Sequence, residues 1–154
     1  MKTKIGKNNI KEAVIKGVQK TFEEMAFIDA IFIQNKKAEV NFKHILYVNV
    51  LEPIFGRFGL YLSFECKKIL LENIYGKGLL ELHTDEIDDC QLELLNVLVG
   101  NILSYFYKKK KRYTLDLPKI IFDEDEIKWN KRDIKEYYFN AEGYFFKLMI
   151  DLKI

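Results

Sequence analysis

Hydrophobic residues recur at steps of three and four in two long segments of the chain. The first segment runs from Asn9 to about Ala26, and the second begins at Thr84 or Asp85. This period places the hydrophobic side chains on one side of a helix. Asn9 with Glu12 resembles a capping box, and acidic residues after residue 84 favour the positive end of a helix dipole. The pattern therefore predicts two long amphipathic helices.

Alternating and β-branched hydrophobic runs predict strands between and after these helices. The predicted strands are residues 27–34, 44–51, 58–64, 113–122, 137–140 and 144–152. Pro53 and Gly56 mark one hairpin turn, and Gly143 marks another. Pro118 restricts its strand to an edge or a bulge, because proline donates no ladder hydrogen bond. A short helix from about Cys66 to Tyr75 ends at Gly76, a residue suited to a C-terminal cap.

The order of these elements is helix, strand, hairpin, short helix, long helix, strand and hairpin. It predicts an α/β fold, more loosely α+β, in which two main helices pack on a largely antiparallel sheet. Because the order nearly repeats, we also expect an internal duplication. The 154 residues fall within the usual size of one domain, so residues 1–154 are predicted to form a single domain.

Composition excludes several classes of protein. Hydrophobic types make up 49% of the chain, which rules out disorder over most of its length. A net charge of +2 gives no field that argues for nucleic acid, and no run approaches the ~20 apolar residues of a membrane span. Cys66 and Cys90 lack the paired spacing of a zinc site and favour a reducing environment. We expect a cytoplasmic protein that is neither secreted nor inserted in a membrane.

The second long helix has two hydrophobic rows where packing on one sheet requires one. The first row, expected to bury against the sheet, contains Ile87, Cys90, Leu94, Val97, Leu98 and Tyr105. The second row contains Leu92, Leu95, Val99 and Leu103. A second hydrophobic row must be buried against another element of the fold or against a partner. The first helix or a second copy of the chain is the expected cover.

A narrow polar seam lies between the two rows. It consists of Asp89, Glu93, Asn96 and Gly100, at spacings of four, three and four residues. These spacings project all four residues in nearly one direction, so a carboxylate and a carboxamide can reach a common target. Gly100 lacks the side chain that would keep a partner away. The alternative interpretation is an exposed polar strip with incidental residue choice. Asn101 lies on the core side, where we expect a buried hydrogen bond.

The seam resembles the active-site helix of the chemotaxis phosphatases of the CheX, CheC and FliY type. The resemblance rests on Asp89-x3-Glu93-x2-Asn96, on Gly100-Asn101, and on Pro118 about twenty residues beyond Asn96. It extends over most of the chain in element order and implies a CheC-like fold. CheC-like members carry a second acid and amide pair on the first helix. Here Glu23 and Glu24 are followed three residues later by Ala26 and Phe27. The chain is therefore more similar to CheX, whose relatives are often homodimers.

The resemblance implies dephosphorylation of the phospho-aspartate of a CheY-like response regulator. Asn96 would orient a water molecule in line with phosphorus, and Glu93 would pair with a lysine of the receiver domain. Asp89 and Gly100 would contact the partner. The receiver would supply Mg²⁺, so no metal site and no cofactor are expected in this chain.

Two other functional interpretations remain open at this stage. A CheX-like adaptor would dock on a receiver without turning over phosphate. A nucleic-acid-binding protein, the weaker of the two, would use the basic run from Lys108 to Arg112, although such a run is more often a solvated helix end. His44 and His83 lack a partner motif, and buried inert thiols are the default for both cysteines.

Overall fold

The computed structural model describes residues 7–34, 38–107 and 112–153, with side chains of the first helix described from Ile10 onward. Its elements are α1 (Lys7–Ala26), β1 (Ala30–Phe32), β2 (Ile45–Glu52), β3 (Gly56–Leu62), α2 (Phe64–Tyr75), α3 (Thr84–Tyr107), β4 (Thr114–Leu115), β5 (Lys119–Ile121), β6 (Ile134–Ala141) and β7 (Tyr144–Leu152). Short 3₁₀ turns form at Leu79–Glu81 and Glu124–Glu126. The predicted two long helices and hairpins are confirmed.

The strands form one antiparallel sheet in the order β1-β6-β7-β3-β2, and both β4 and β5 pair with the outer edge of β2. The predicted strand 113–122 is therefore two short strands on either side of Pro118, in an edge position that the proline permits. The fold is α+β, as expected.

The strand pairing supports the expected internal duplication. Exchanging α1, β1, β2 and β3 for α3, β5, β6 and β7 converts the β1–β6 pair into β5–β2 and the β2–β3 pair into β6–β7. The central β3–β7 pair maps onto itself. The two long helices are exchanged and pack against each other. Helix α2 and the two-residue strand β4 have no counterpart among the described elements.

The first helix and the third pack closely enough to exclude a side chain at their crossing. A Cβ atom on Gly17 of α1 would lie 2.5 Å from Cγ1 of Ile102 on α3 and 2.9 Å from its backbone. Hydrophobic side chains of both helices share one core with the facing side of the sheet. Glycine at residue 17 is therefore a requirement of packing.

Both hydrophobic rows of α3 are covered within one chain. Leu95, Val99 and Leu103 of the second row are buried in the same core as Leu94 and Leu98 of the first, and Leu92 is half-buried. A second copy is thus not needed to cover most of that row. The prediction that all of the first row is buried was wrong for Ile87 and Val97, which are half-buried, and for Tyr105, which is 37% exposed and lies beside Lys20 of α1.

Two predicted helix starts differ from the structure. Helix α1 begins at Lys7, so Asn9 lies inside the helix and is not its N-cap. Helix α2 begins at Phe64, where the Ser63 hydroxyl accepts a hydrogen bond from the Cys66 amide and caps the helix. The predicted C-terminal cap at Gly76 is confirmed by its left-handed backbone, with φ of 66°.

The polar segment at residues 123–130 carries hydrophobic anchors. Ile127 is buried and Trp129 packs with it against the sheet face opposite the helices. Buried Asp151 accepts hydrogen bonds from the Arg57 guanidinium, at 2.8 Å, and the Asn130 backbone, at 2.7 Å. These contacts hold the loop across the outer face of the sheet, away from the helix layer.

Candidate functional site

The seam predicted from the sequence lies on the outer surface of α3. Asp89 and Glu93 are exposed, Asn96 is half-buried and Gly100 is buried. Neither Asp89 nor Glu93 has an ion-pair partner within the described part of the chain. Both carboxylates are thus available to a group outside the chain. The 1.5 Å rise per residue spreads the four positions over about 17 Å of helix.

The carboxamide of Asn96 is not engaged by the fold. Its Oδ1 is buried and accepts no hydrogen bond from any described residue. An unsatisfied buried acceptor costs about 1–3 kcal/mol, so folding gains nothing from an amide at this position. Rotation about χ2 would turn the oxygen towards a visiting donor, because a carboxamide carries a donor and an acceptor on one planar group.

Asn96 opens onto a shallow depression of about 330 Å³. Its lining consists of Asn96, Val97, Gly100, Asn101, Ser104 and Tyr113. Most of these residues are polar or lack a side chain, so the depression suits a polar group of a partner better than an apolar ligand. Ser104 is satisfied locally, since its hydroxyl donates to the Gly100 carbonyl at 2.9 Å.

Tyr113 covers Gly100, a contact that the sequence did not predict. The tyrosine hydroxyl lies 2.6 Å from the place where a Cβ on Gly100 would be. The space that we expected a partner to use above Gly100 is therefore taken by the chain's own tyrosine. No local spacing signals the contact, because it joins residues 13 positions apart across the end of a helix.

Asn101 makes the hydrogen bond predicted for it, and this bond links α3 to α1. Its Nδ2 donates to the Thr21 hydroxyl at 2.9 Å, and that hydroxyl donates to the Gly17 carbonyl at 2.7 Å. Thr21 is fully buried. This chain of bonds sets which side of α3 faces outward, and so it orients Asn96.

The other candidate groups do not form a second catalytic site. His44 Nε2 lies 2.9 Å from Gln91 Oε1, within hydrogen-bonding distance. Cys66 and Cys90 are buried free thiols, as expected, and burial raises the pKa of the Cys66 thiol to about 12. Among residues 7–34, 38–107 and 112–153, no three His, Cys, Asp or Glu side chains converge as metal ligands.

Two further features bear on partners. The basic run that suggested nucleic acid lies outside the described residues except for Arg112, which is exposed. No helix in the described segments is both long and apolar enough to cross a membrane.

Comparison with solved structures identifies proteins that share this fold. No family model and no curated protein matches the sequence. The structure nevertheless has the fold of the CheX and CheC-like chemotaxis proteins, as the resemblance of the seam implied.

Three solved structures illustrate this likeness. CheX from Desulfovibrio desulfuricans superposes with a TM-score of 0.73 at 15% identity, over 94% of this chain and 99% of that one. A CheC-like superfamily protein from Shewanella sp. PV-4 gives 0.70 at 13%, over 100% of both chains. A CheX–CheY–BeF3–Mg²⁺ complex from Borrelia burgdorferi gives 0.70 at 11%, over 94% and 98%. At these identities the likeness defines the fold, and function has to be argued from the site.

Proposed function

We propose that residues 1–154 act as one CheX-like unit in the cytoplasm. The unit removes the phosphoryl group from the phospho-aspartate of a CheY-like response regulator, in chemotaxis or two-component signalling. One observation carries the proposal: an exposed, unpaired Glu93 lies one helical turn from Asn96, whose carboxamide is unused by the fold. Support for the partner class comes from the shared fold, since one similar structure is a CheX–CheY complex.

Asn96 acts by positioning. On docking, its carboxamide enters the receiver's phosphorylation site and holds a water molecule in line with phosphorus. The water oxygen bonds to phosphorus, the bond to the aspartyl oxygen breaks, and inorganic phosphate and a free carboxylate result. Phosphoryl transfer has a loose transition state that needs little proton removal early, so an amide without basicity is sufficient. The receiver's Mg²⁺ supplies charge stabilisation to the transferred group.

Glu93 and Asp89 set the docking register. Both carboxylates lie on the approach to Asn96 and are exposed and unpaired among the described residues. Glu93, one turn from Asn96, pairs with a lysine of the receiver. Asp89, a further turn away, contacts the rim of the partner, while Gly100 contributes through the tyrosine that covers it.

Self-association is implied by the resemblance alone. The hydrophobic row that first suggested a second copy is mostly buried within one chain. Sedimentation at several protein concentrations distinguishes a homodimer from a monomer, and the proposed chemistry at Asn96 needs only one copy.

The test of the proposed function is the decay of a phosphorylated receiver from the same organism. Wild-type protein, added in amounts far below the receiver, is expected to speed release of inorganic phosphate in proportion to its concentration. Binding without acceleration would replace the enzyme by the adaptor alternative. If the protein neither binds any receiver of that organism nor accelerates its dephosphorylation, the enzyme proposal and the adaptor alternative are both overturned.

Glu93→Gln is expected to weaken docking more than chemistry. Loss of a charge pair that docking encloses should raise KM about tenfold while kcat stays within about threefold. Asp89→Asn is the matched control, since it removes the same charge from the same seam at a position farther from Asn96, and its effect on KM should be smaller. Equal effects of the two substitutions would show that Glu93 has no specific partner.

A further inference from the structure

Tyr113 is held in place by the backbone that follows it. The next residues form β4, in which Thr114 pairs with Glu52 and Leu115 with Val50 of β2. Asp116 then accepts hydrogen bonds from the backbone amide of Asn49, at 2.9 Å, and from its side chain, at 2.7 Å. The tyrosine therefore starts from a fixed point on the sheet edge and reaches over α3 to Gly100.

Tyr113 remains 41% exposed although its hydroxyl end touches the helix. It belongs to none of the buried core clusters. Instead it lines the depression that contains Asn96, and its hydroxyl lies beside Gly100, one helical turn from Asn96. A rigid aromatic ring with a polar tip, partly exposed beside an unengaged carboxamide, is the kind of side chain that anchors protein interfaces at low entropic cost.

Gly100 and Tyr113 form a matched pair. Because Gly100 has no Cβ, the hydroxyl end of the Tyr113 side chain can approach α3 closely. An added Cβ at Gly100 would meet only the far end of the tyrosine side chain, with no backbone close by. The glycine is thus not required for the packing of α3, and its effect falls on the position of the tyrosine.

We propose that Tyr113 is a positioning residue of the docking surface, and that its ring, with the hydroxyl end resting on Gly100, forms the wall against which the receiver's phosphorylated loop lies. This inference rests on the proposed function. The ring gives the partner a fixed surface beside Asn96 and limits the directions from which a receiver reaches the amide.

The experiment measures KM and kcat for phosphorylated-receiver decay in four variants. Tyr113→Ala should raise KM about tenfold with kcat within about threefold, as expected for loss of an interface anchor. Tyr113→Phe keeps the ring and should keep the wild-type KM. Gly100→Ala should displace the ring and raise KM, with no fall in melting temperature. In the Tyr113→Ala background, Gly100→Ala should add no further rise.

Tyr105→Ala is the matched control. Tyr105 is exposed to a similar degree, but it lies on α3 towards α1, beside Lys20 and away from the depression. Its removal should leave KM unchanged. An unchanged KM in Tyr113→Ala, an equal rise in Tyr105→Ala, or a rise in Tyr113→Phe as large as in Tyr113→Ala would overturn the inference.

The outcome for the wild type separates this inference from the proposed function. If wild-type protein does not accelerate decay, the proposed phosphatase activity fails. The dissociation constant for a receiver activated with beryllium trifluoride then replaces KM, with the same expected ratios among the variants. If the wild type does not bind the receiver either, the inference fails with the function.

Discussion

Asn96→Ala is expected to lower kcat for receiver dephosphorylation about 100-fold or more, with the dissociation constant for the activated receiver changed much less. In the proposed mechanism the amide aims the water, and the loss of an aligned positioning group costs a factor of this order. Glu93, which is proposed to make the docking contact, is unchanged in this variant. Phosphate release under single-turnover conditions measures the effect on chemistry, and titration with activated receiver measures binding.

The same substitution should not destabilise the protein. It removes a buried carbonyl oxygen that has no partner among the described residues, and alanine is the better helix former. We expect the free energy of unfolding to rise by about 1 kcal/mol. A side chain whose removal raises the free energy of unfolding but abolishes activity serves function and not stability.

Asn101→Ala is the matched control for stability, since it removes the same side chain from the same helix. Asn101 donates to Thr21, which is fully buried, so its removal breaks the link between α3 and α1. The free energy of unfolding should fall by about 1 kcal/mol or more. If urea denaturation shows Asn96→Ala losing as much stability as Asn101→Ala, then Asn96 has a structural role that the structure does not reveal.

Gly17→Ala is expected to lower the free energy of unfolding by about 2 kcal/mol. The added Cβ meets the backbone of Ile102 at 2.9 Å, and a helix backbone cannot yield as a side chain can. The helices must move apart, which also strains the hydrogen bond between Thr21 and Asn101. Alanine's greater helix propensity recovers at most about 1 kcal/mol of the cost. Urea and thermal denaturation measure the result.

Gly100→Ala is the control for Gly17→Ala. Both replace a mid-helix glycine by alanine, but the new Cβ at residue 100 meets only the hydroxyl end of a partly exposed tyrosine. Its stability should therefore equal or exceed that of the wild type. Equal losses in the two variants would show that the close approach of α1 and α3 is not the cause.

Local sequence pattern was sufficient for most of the fold. The hydrophobic period of α3 and the acidic residues after Thr84 predicted where the helix begins. Pro118 predicted that its strand would be interrupted or lie at the sheet edge, and the structure has two short edge strands there. Spacing along a helix also predicted that the seam residues share one side of α3, because residues three or four apart share a face whatever the helix packs against. These features depend on neighbours in sequence.

The features that sequence analysis missed depend on residues far apart in the chain. Nothing near Tyr113 indicates that it lies over Gly100, and the period of α3 could not say whether one chain or two would cover its second row. The anchoring of Trp129 beneath a polar loop is of the same kind. Such contacts are set by how helices and loops pack on the sheet, which no local pattern contains.

In the proposed function, the seam of α3 brings the Asn96 carboxamide to a partner's acyl phosphate. A crystal structure of this protein with a Mg²⁺-bound receiver activated by beryllium trifluoride would show whether this contact forms. We expect the Asn96 side chain within hydrogen-bonding distance of the beryllofluoride group or of a water in line with it, and Glu93 paired with a lysine of the receiver. A receiver bound to another face of the molecule, with no contact to Asn96, would rule the proposal out.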